Sequence, residues 1–536
     1  HWAAAHETPK HPEGVPRTRG SCVPRLTLNR MSHEMKYVEE GKRISETCQP
    51  NLSTRIPEED NTPSCNDSHK PVGIFGEVVL SEQYWDHVAR TFTDLWPMLL
   101  GNVLEWYEFG VFGFLEHELT DNFFSASWVT WAFFALSFVL RPVGGLVCGI
   151  VGDRVGRKKA TLWAIYGMTG ATILQGCLPS RHTGGAAAEM VGVVLLFFCR
   201  IVQGLCTGGE ISGVCTYLSE TGKREALGLT VCWIGASSNG AYALASVVVL
   251  LCSAAAGSQA MELWAWRIPF WLAAVPAYFC LTRLGNMPET EEFQKLVSDK
   301  EKATQKDPDS NSNSPEMQAV GSKSCEDMHR VCTVYLREVV LVALGLAGIA
   351  GLWYVGPIYG VSFVDNHGGS DLIATGAASA SQWIVMLFCV PVGWLTDLYG
   401  VGKINLLGNI LVAILGFPVF LWLRDGAQDT VMIYLCIGGV MGFMQTFLGS
   451  TIYLYVSEMF PSEVRFAATG LSYNLAVGLF GGCAPLYCEF ASNYVDLFPG
   501  YYLAFCGGLS SATMIYCRWM SSQGILQASH IRGNPY

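Results

Sequence analysis

GDRVGRKK, residues 152–159, lies between two long apolar runs, and a degraded copy, TDLYGVGK at 396–403, again lies between two such runs. Both copies keep an Asp, a Gly and a terminal Lys. A second pair, YLSETGKR (217–224) and YVSEMFPSEVR (455–465), repeats the relation. Counted in apolar runs, the first pair follows spans two and eight, and the second follows spans four and ten. Two echoes in matching places mean that a six-span unit occurs twice. Such duplication puts a substrate site at the interface between the copies.

The composition agrees with that reading. Half of the 536 residues are hydrophobic and 15% are charged, against about a quarter charged in soluble domains. Apolar runs of about 20 residues, enough to cross a hydrocarbon core of about 30 Å, recur about twelve times between residues 92 and 520. They are continuous rather than alternating, which indicates helices and not barrel strands. The expected architecture is an all-α, multi-pass integral membrane protein. A Pro-, Ser- and Thr-rich, disordered cytosolic tail (1–90) precedes a first six-helix half (91–285). A polar, low-complexity cytosolic linker (286–334) containing DPDSNSNSPE follows, then a second half (335–520) and a short cytosolic tail (521–536).

Loop charge orients the chain. Arg154, Arg157, Lys158, Lys159, Lys223, Arg224, Lys403 and Arg465 fall on even-numbered loops, while the acids Glu116, Glu118, Asp121, Asp365 and Asp371 fall on odd-numbered ones. By the positive-inside rule both termini are cytosolic. The net charge of −11, without a basic stripe, argues against a nucleic-acid partner. Most of the 19 cysteines lie inside spans, with no CxxC pair and no Cys/His cluster at zinc spacing, so they read as apolar packers. No metal, cofactor or enzyme motif is implied.

GDRVGRKK resembles the loop signature of the major facilitator superfamily. Six further strings are GNVLEWYEF (101–109), RPVGG (141–145), RIVQGLCTGGE (200–210), WRIPF (266–270), PETEEF (288–293) and FPSEVRFAATGLSYNLAVGLFGG (460–482). Together, over residues 90–520, they resemble the metabolite:proton symporter family within it. That resemblance implies the twelve-helix major facilitator fold. It also implies a monomer in the plasma membrane that moves a small polar metabolite with protons by alternating access, either a proline- or betaine-like zwitterion or an organic acid. The alternatives are a proton-independent organic-anion uniporter or exchanger, and a membrane sensor that binds without transporting. Two positions depart from the family: Glu108 stands where it usually has Asp, and Leu398 where the second loop usually has Arg.

An ionisable group in hydrocarbon costs several kcal/mol, so each needs a partner, water or a task. Within the spans these are Glu105, Glu108, Arg141, Arg200 and Glu210, and no histidine. Arg200, Gln203, Thr207 and Glu210 recur at i, i+3, i+7 and i+10, one polar stripe on a helix. The family fold would bring helix one beside helix four, so that Glu105 or Glu108 meets Arg200. Glu108 is the expected proton-coupling acid, with Glu105 or Glu210 as its alternative, Gln203 beside it on the stripe, and Arg200 as counter-ion and carboxylate dock. Arg141 is expected to pack the bundle, and for Glu210, near the cytosolic end, the competing reading is a solvated acid. The competing reading is that these acids and arginines form buried structural pairs.

The second half contributes Tyr354, Gln445, Tyr473 and Asn474 as a polar and aromatic wall. Arginine on one side and rings on the other suit a zwitterion. Asp153, Arg154, Arg157 and Lys158, with Asp397 in the second copy, are the expected cytosolic gate.

Overall fold

The computed structural model describes residues 82–155, 157–221, 226–286, 329–461 and 464–523. The expected N-terminal tail up to residue 81, most of the linker, PETEEF and most of the C-terminal tail lie outside the described residues, while residues 82–90, expected to be disordered, are helical because they continue the first crossing. So do the side chains of Asp153, Arg154, Arg157 and Lys158.

The first half begins with α1 (Glu82–Phe114), α2 (Glu116–Phe123) and α3 (Ser127–Val155). It continues with α4 (Arg157–Gln175), α5 (Arg181–Thr207), α6 (Glu210–Thr221) and α7 (Leu227–Ala256), and closes with α8 (Arg267–Leu272) and α9 (Ala274–Asn286). Helices α5 and α6 form one crossing, as do α8 and α9, and α2 is a short helix on the outer side. The second half repeats the plan with α10 (Leu336–Gly345), α11 (Ala347–Tyr354), α12 (Gly360–Asn366), α13 (Asp371–Tyr399) and α14 (Val401–Asp425). It ends in α15 (Gly442–Glu458), α16 (Arg465–Ala476), α17 (Ala484–Ser492) and α18 (Phe498–Ser522). These make twelve crossings among the described residues, and eight are long and apolar enough to span a membrane by length and composition alone. The first crossing misses that standard because acids such as Glu105 and Glu108 dilute it.

Three crossings of the second half are broken by wide turns: Val355–Tyr359 around Pro357, Tyr434–Met441 around Gly438 and Gly439, and Val477–Gly482. Such π turns free backbone groups and let a helix bend, which is tolerated at membrane depth where protein covers the site. Large hydrophobic side chains such as Phe198, Leu251, Phe388, Ile414 and Phe505 face outward. Glu105, Arg141 and Arg200 are fully buried. That inversion of a water-soluble distribution suits a lipid-facing surface around a polar core.

Two contacts explain the glycine-rich strings. A side chain at Gly208 would collide with the backbone of Arg141 and Gly145, and one at Gly204 with the backbone of Ser137. RPVGG and RIVQGLCTGGE are therefore two faces of one close crossing of α3 and α5, the small-residue packing that bilayers favour. The halves meet along α7 and α13, and again where α3 and α6 face α16 and the turn after it.

Candidate functional site

Helix α1 is fixed first. The Asn102 amide donates to Ile234 O (3.2 Å), Ser237 Oγ (2.7 Å) and Ser238 Oγ (2.9 Å) of α7, and its oxygen accepts from Trp106 Nε1 (2.9 Å). This sets the rotation of α1, and with it the directions of two acids three residues apart, about 60° from each other around the helix.

Glu105 turns toward α3. Its Oε1 pairs with Arg141 Nη2, both side chains fully buried. Oε2 of Glu105, and Nε and Nη1 of Arg141, find no hydrogen-bond partner among the described residues. Aromatic rings surround the guanidinium: its central carbon lies 5.1 Å from the Trp106 ring, 4.8 Å from Phe109 and 5.0 Å from Phe138. The second half completes the enclosure. Trp353 lies 5.9 Å from Trp106, Tyr453 lies 6.3 Å from Trp353, Tyr473 lies 5.9 Å from Tyr453, and Tyr354 lies 5.1 Å from Phe138, centroid to centroid. The hydroxyls of Tyr242, Tyr354 and Tyr473 are buried in the same enclosure and make no well-aligned hydrogen bond among the described residues.

Glu108 turns toward α5. Its Oε2 accepts from Gln203 Nε2 at 3.4 Å, the same nitrogen donates to Thr172 Oγ1 at 2.7 Å, and Arg200 Nη1 donates to Gln203 Oε1 at 2.8 Å. Arg200 also donates from Nε to Phe133 O (3.1 Å) and from Nη2 to Phe134 O (3.3 Å), with its guanidinium 4.1 Å from the Phe112 ring. Each nitrogen of Arg200 is therefore engaged. Glu108 reaches it through Gln203 rather than by direct contact.

The other expected residues divide by location. Tyr354 and Tyr473 join the aromatic enclosure. Gln445 donates to Asn239 Oδ1 of α7 at 2.6 Å and Asn474 donates to Gly208 O at 2.8 Å, so both bridge the halves. Glu210, the other candidate acid, is partly buried, with its carboxylate against Gly101 of α1. At the cytosolic end Asp397 of α13 accepts from the backbone N–H groups of Gly228 (2.6 Å) and Leu229 (2.9 Å). It thereby caps the N-terminus of α7 from the opposite half, where a carboxylate satisfies orphan donors and meets the positive end of the helix dipole. At the outer end Ser362 of α12 donates to Glu116 Oε2 at 3.1 Å, and Trp131 meets Tyr359 at 6.1 Å. The halves touch on both sides of the centre.

Sequence reasoning missed the pairing of Glu105 with Arg141, and the parts of Trp106, Tyr242 and Tyr453. A lone Arg inside an apolar span was the available signal for the first. The tyrosines lay among many rings with nothing to separate them.

A family model described as sugar (and other) transporter matches residues 83–520. The ectoine/proline transporter of Corynebacterium glutamicum is 29% identical over 456 residues, covering 80% of this chain and 84% of that protein. The proline/betaine transporter of Escherichia coli is 28% identical over 436 residues, covering 77% and 81%. Among solved structures, the proton:xylose symporter bound to 6-bromo-6-deoxy-D-glucose aligns with a TM-score of 0.61 at 18% identity, over 80% of this chain and 96% of that one. A partially occluded, inward-open form of the Escherichia coli xylose transporter aligns at 0.59 and 17%, over 81% and 98%.

Proposed function

The chain belongs to the sugar (and other) transporter family, and from that premise we propose that it carries a small zwitterion, a proline- or betaine-like ammonium carboxylate, together with protons. The carrying observation is the open edge of Arg141 beside the open oxygen of Glu105, inside rings supplied by both halves. A ligand carboxylate accepts from Arg141 Nε and Nη1, a charge-assisted contact worth about 1.5–3 kcal/mol. The ligand's cationic end lies against Glu105 Oε2 and the ring faces of Trp106 and Trp353. Because the walls belong to both halves, the bound ligand draws the halves together, and alternating access follows from exchanging one gate for the other.

An organic diacid fits less well. It needs a second cation with open donors, and those of Arg200 are spent on Gln203 and two carbonyls. Names of relatives support the same class: one carries ectoine and proline, another proline and betaine.

Coupling belongs to Glu108. It takes a proton from outside water when the centre opens outward and releases it to the cytosol when the centre opens inward, with Gln203 and Arg200 as the competing partners. Glu105 is held by Arg141 and serves the ligand. Asp397, with Asp153, Arg154, Arg157 and Lys158 at the equivalent turn of the first half, holds the cytosolic gate. Each chain supplies a complete site, so a monomer in the plasma membrane suffices.

The test is uptake of labelled betaine, proline, 2-oxoglutarate and citrate by proteoliposomes, with and without an inward proton gradient. Gradient-driven accumulation of the zwitterions alone is expected. Accumulation of the organic acids without a gradient would make the protein an exchanger, and binding without uptake would make it a sensor.

A further inference from the structure

The outer contact between the halves rests on an acid that the central site does not use. Glu116 begins α2, just beyond the first crossing, and only 6% of it is exposed. Oε1 accepts from Thr120 Oγ1 at 2.8 Å within α2, and Oε2 accepts from Ser362 Oγ of α12, across the halves, at 3.1 Å. Thr120 in turn contacts Thr130 of α3 at 2.6 Å, and that hydroxyl anchors the acid on the first half.

The groups facing Glu116 are mostly acids. Glu489 of α17 and, from its own helix, Glu118, which is also buried, and His117 act on it directly; Asp121 and Asp365 of α12 act on His117, and Asp371 of α13 acts on Glu118, so they extend the same cluster. Among the described residues His117 is the basic group acting on this cluster, and it lies at the exposed edge beside Asp121. Glu489 accepts from Tyr359 OH at 3.2 Å, which ties it to the wide turn that leads into α12. Closing the outer gate thus brings Glu116 out of water and next to other acids, with two hydroxyls in place of a cation. A charged carboxylate pays for that twice, in desolvation and in like-charge repulsion.

We propose that Glu116 is an external proton-binding site whose protonation closes the outer gate, separate from the acid that carries the transported proton. The proton comes from outside water as α12 swings onto α2 and returns there when the gate reopens. It is not moved across the membrane and does not alter the stoichiometry. The proposal rests on alternating access of the halves and is independent of the substrate's identity.

The direction of the linkage is fixed by burial. In the closed gate burial raises the Glu116 carboxyl from its ordinary value of 4.5 to about 7, with Glu489 adding to the rise and the hydroxyls of Thr120 and Ser362 opposing it. The closed gate therefore holds the proton more tightly than the open, solvated one. Its advantage is complete below the open-gate value near 4.5 and lost as pH rises through about 7. Between pH 6 and 8 a group titrating near 7 loses about tenfold in protonated fraction, so closure weakens about tenfold.

Hydrogen exchange on the full chain in lipid nanodiscs, corrected for the intrinsic pH dependence of exchange, reads closure without any substrate. Protection of residues 355–366 should be about tenfold greater at pH 6 than at pH 8 in the native protein. In Glu116→Gln it should be high at both. Two milder variants move the midpoint in opposite senses: Glu489→Gln to lower pH, by removing a neighbouring charge, and Ser362→Ala to higher pH, by removing a donor to the carboxylate. Protection that does not change with pH in the native protein, pH dependence that survives in Glu116→Gln, or midpoints that move the other way would each overturn the proposal. In proteoliposomes Glu116→Gln should still accumulate betaine down a proton gradient. If the native protein accumulates it and the variant exchanges labelled for unlabelled betaine at the native rate but does not accumulate it, Glu116 carries the transported proton and the gate assignment is wrong. If the native protein does not take up betaine at all, the substrate assignment falls while the exchange result stands.

Discussion

Arg141 and Arg200 are equally deep, both fully buried, and both stand over aromatic rings. They differ in how their donors are used. All three nitrogens of Arg200 are engaged, by Gln203 and two carbonyls, whereas Arg141 engages one nitrogen with Glu105 and leaves two open. A buried donor left unmade costs about 1–3 kcal/mol, and ring faces offset only part of that for a cation. Depth alone therefore does not separate a ligand-binding arginine from a structural one, but donor satisfaction does. The two acids of α1 divide by partner instead: each leaves one oxygen without a hydrogen bond among the described residues, but Glu105 pairs with the Arg141 cation, whereas Glu108 meets the amide of Gln203.

The largest effect expected from this division is on Glu108. Glu108→Gln keeps the size and the contact with Gln203 but fixes a neutral side chain. Proton-driven accumulation should fall to the external concentration, while exchange of labelled for unlabelled betaine continues within about threefold of the native rate, because exchange needs no net proton release. Should the variant still concentrate betaine, the coupling acid is elsewhere, and Glu105 or Glu210 is next in line.

The arginines come second. Arg141→Lys replaces a planar fork by a single ammonium that cannot serve Glu105 and a ligand carboxylate together. The betaine Kd should rise about 10- to 100-fold, the loss of one charge-assisted contact of about 1.5–3 kcal/mol, with the melting temperature little changed. Arg200→Lys should do the reverse: binding within about threefold, and a lower melting temperature because buried carbonyls lose their donors. Titration calorimetry beside a thermal melt decides the matter. Equal loss of affinity in both variants would end the distinction.

Helix count, duplication and polarity were legible because they rest on run length and loop charge, which need no partner to be read. RPVGG and RIVQGLCTGGE could be recognised as strings, but that they form one crossing depends on which backbones approach, as Gly208 against Arg141 does. The pairing of Glu105 was hidden for a geometric reason. Two acids three residues apart diverge by about 60°, and which faces α3 depends on the anchoring of Asn102 to α7, a contact 132 residues away or more. The acids of EHELTD (116–121) read as an outer loop, since sequence cannot tell that Glu116 is covered by α12.

Third in size is the cytosolic cap, a region where backbone rather than side-chain donors are at stake. Asp397→Asn keeps an acceptor but removes the charge facing the α7 dipole, a loss of about 1 kcal/mol. The population should shift about fivefold toward the state open to the cytosol. Labelling of an introduced cytosolic-side cysteine should accelerate by that factor, with the betaine Kd nearly unchanged. A matching change in Kd would mean that Asp397 acts on binding instead.

The smallest expected effect separates the two anchors of the ligand's cationic end. Trp353 supplies a ring face from the second half, and Glu105 supplies an oxygen from the first. A quaternary ammonium has no N–H to give Glu105 and depends more on rings, whereas a secondary ammonium such as that of proline can donate to Oε2. Trp353→Leu should therefore raise the Kd for betaine about threefold and that for proline less than twofold, as a loss of about 0.5–1 kcal/mol implies. Any general cost of removing a large buried ring acts on both ligands and cancels in their ratio. Glu105→Gln should tip the ratio the other way, weakening proline more than betaine. Ratios that move in the same direction in both variants would show that ring and carboxylate hold the same end of the ligand by one mechanism, and the opposed-anchor reading of the site would have to be given up.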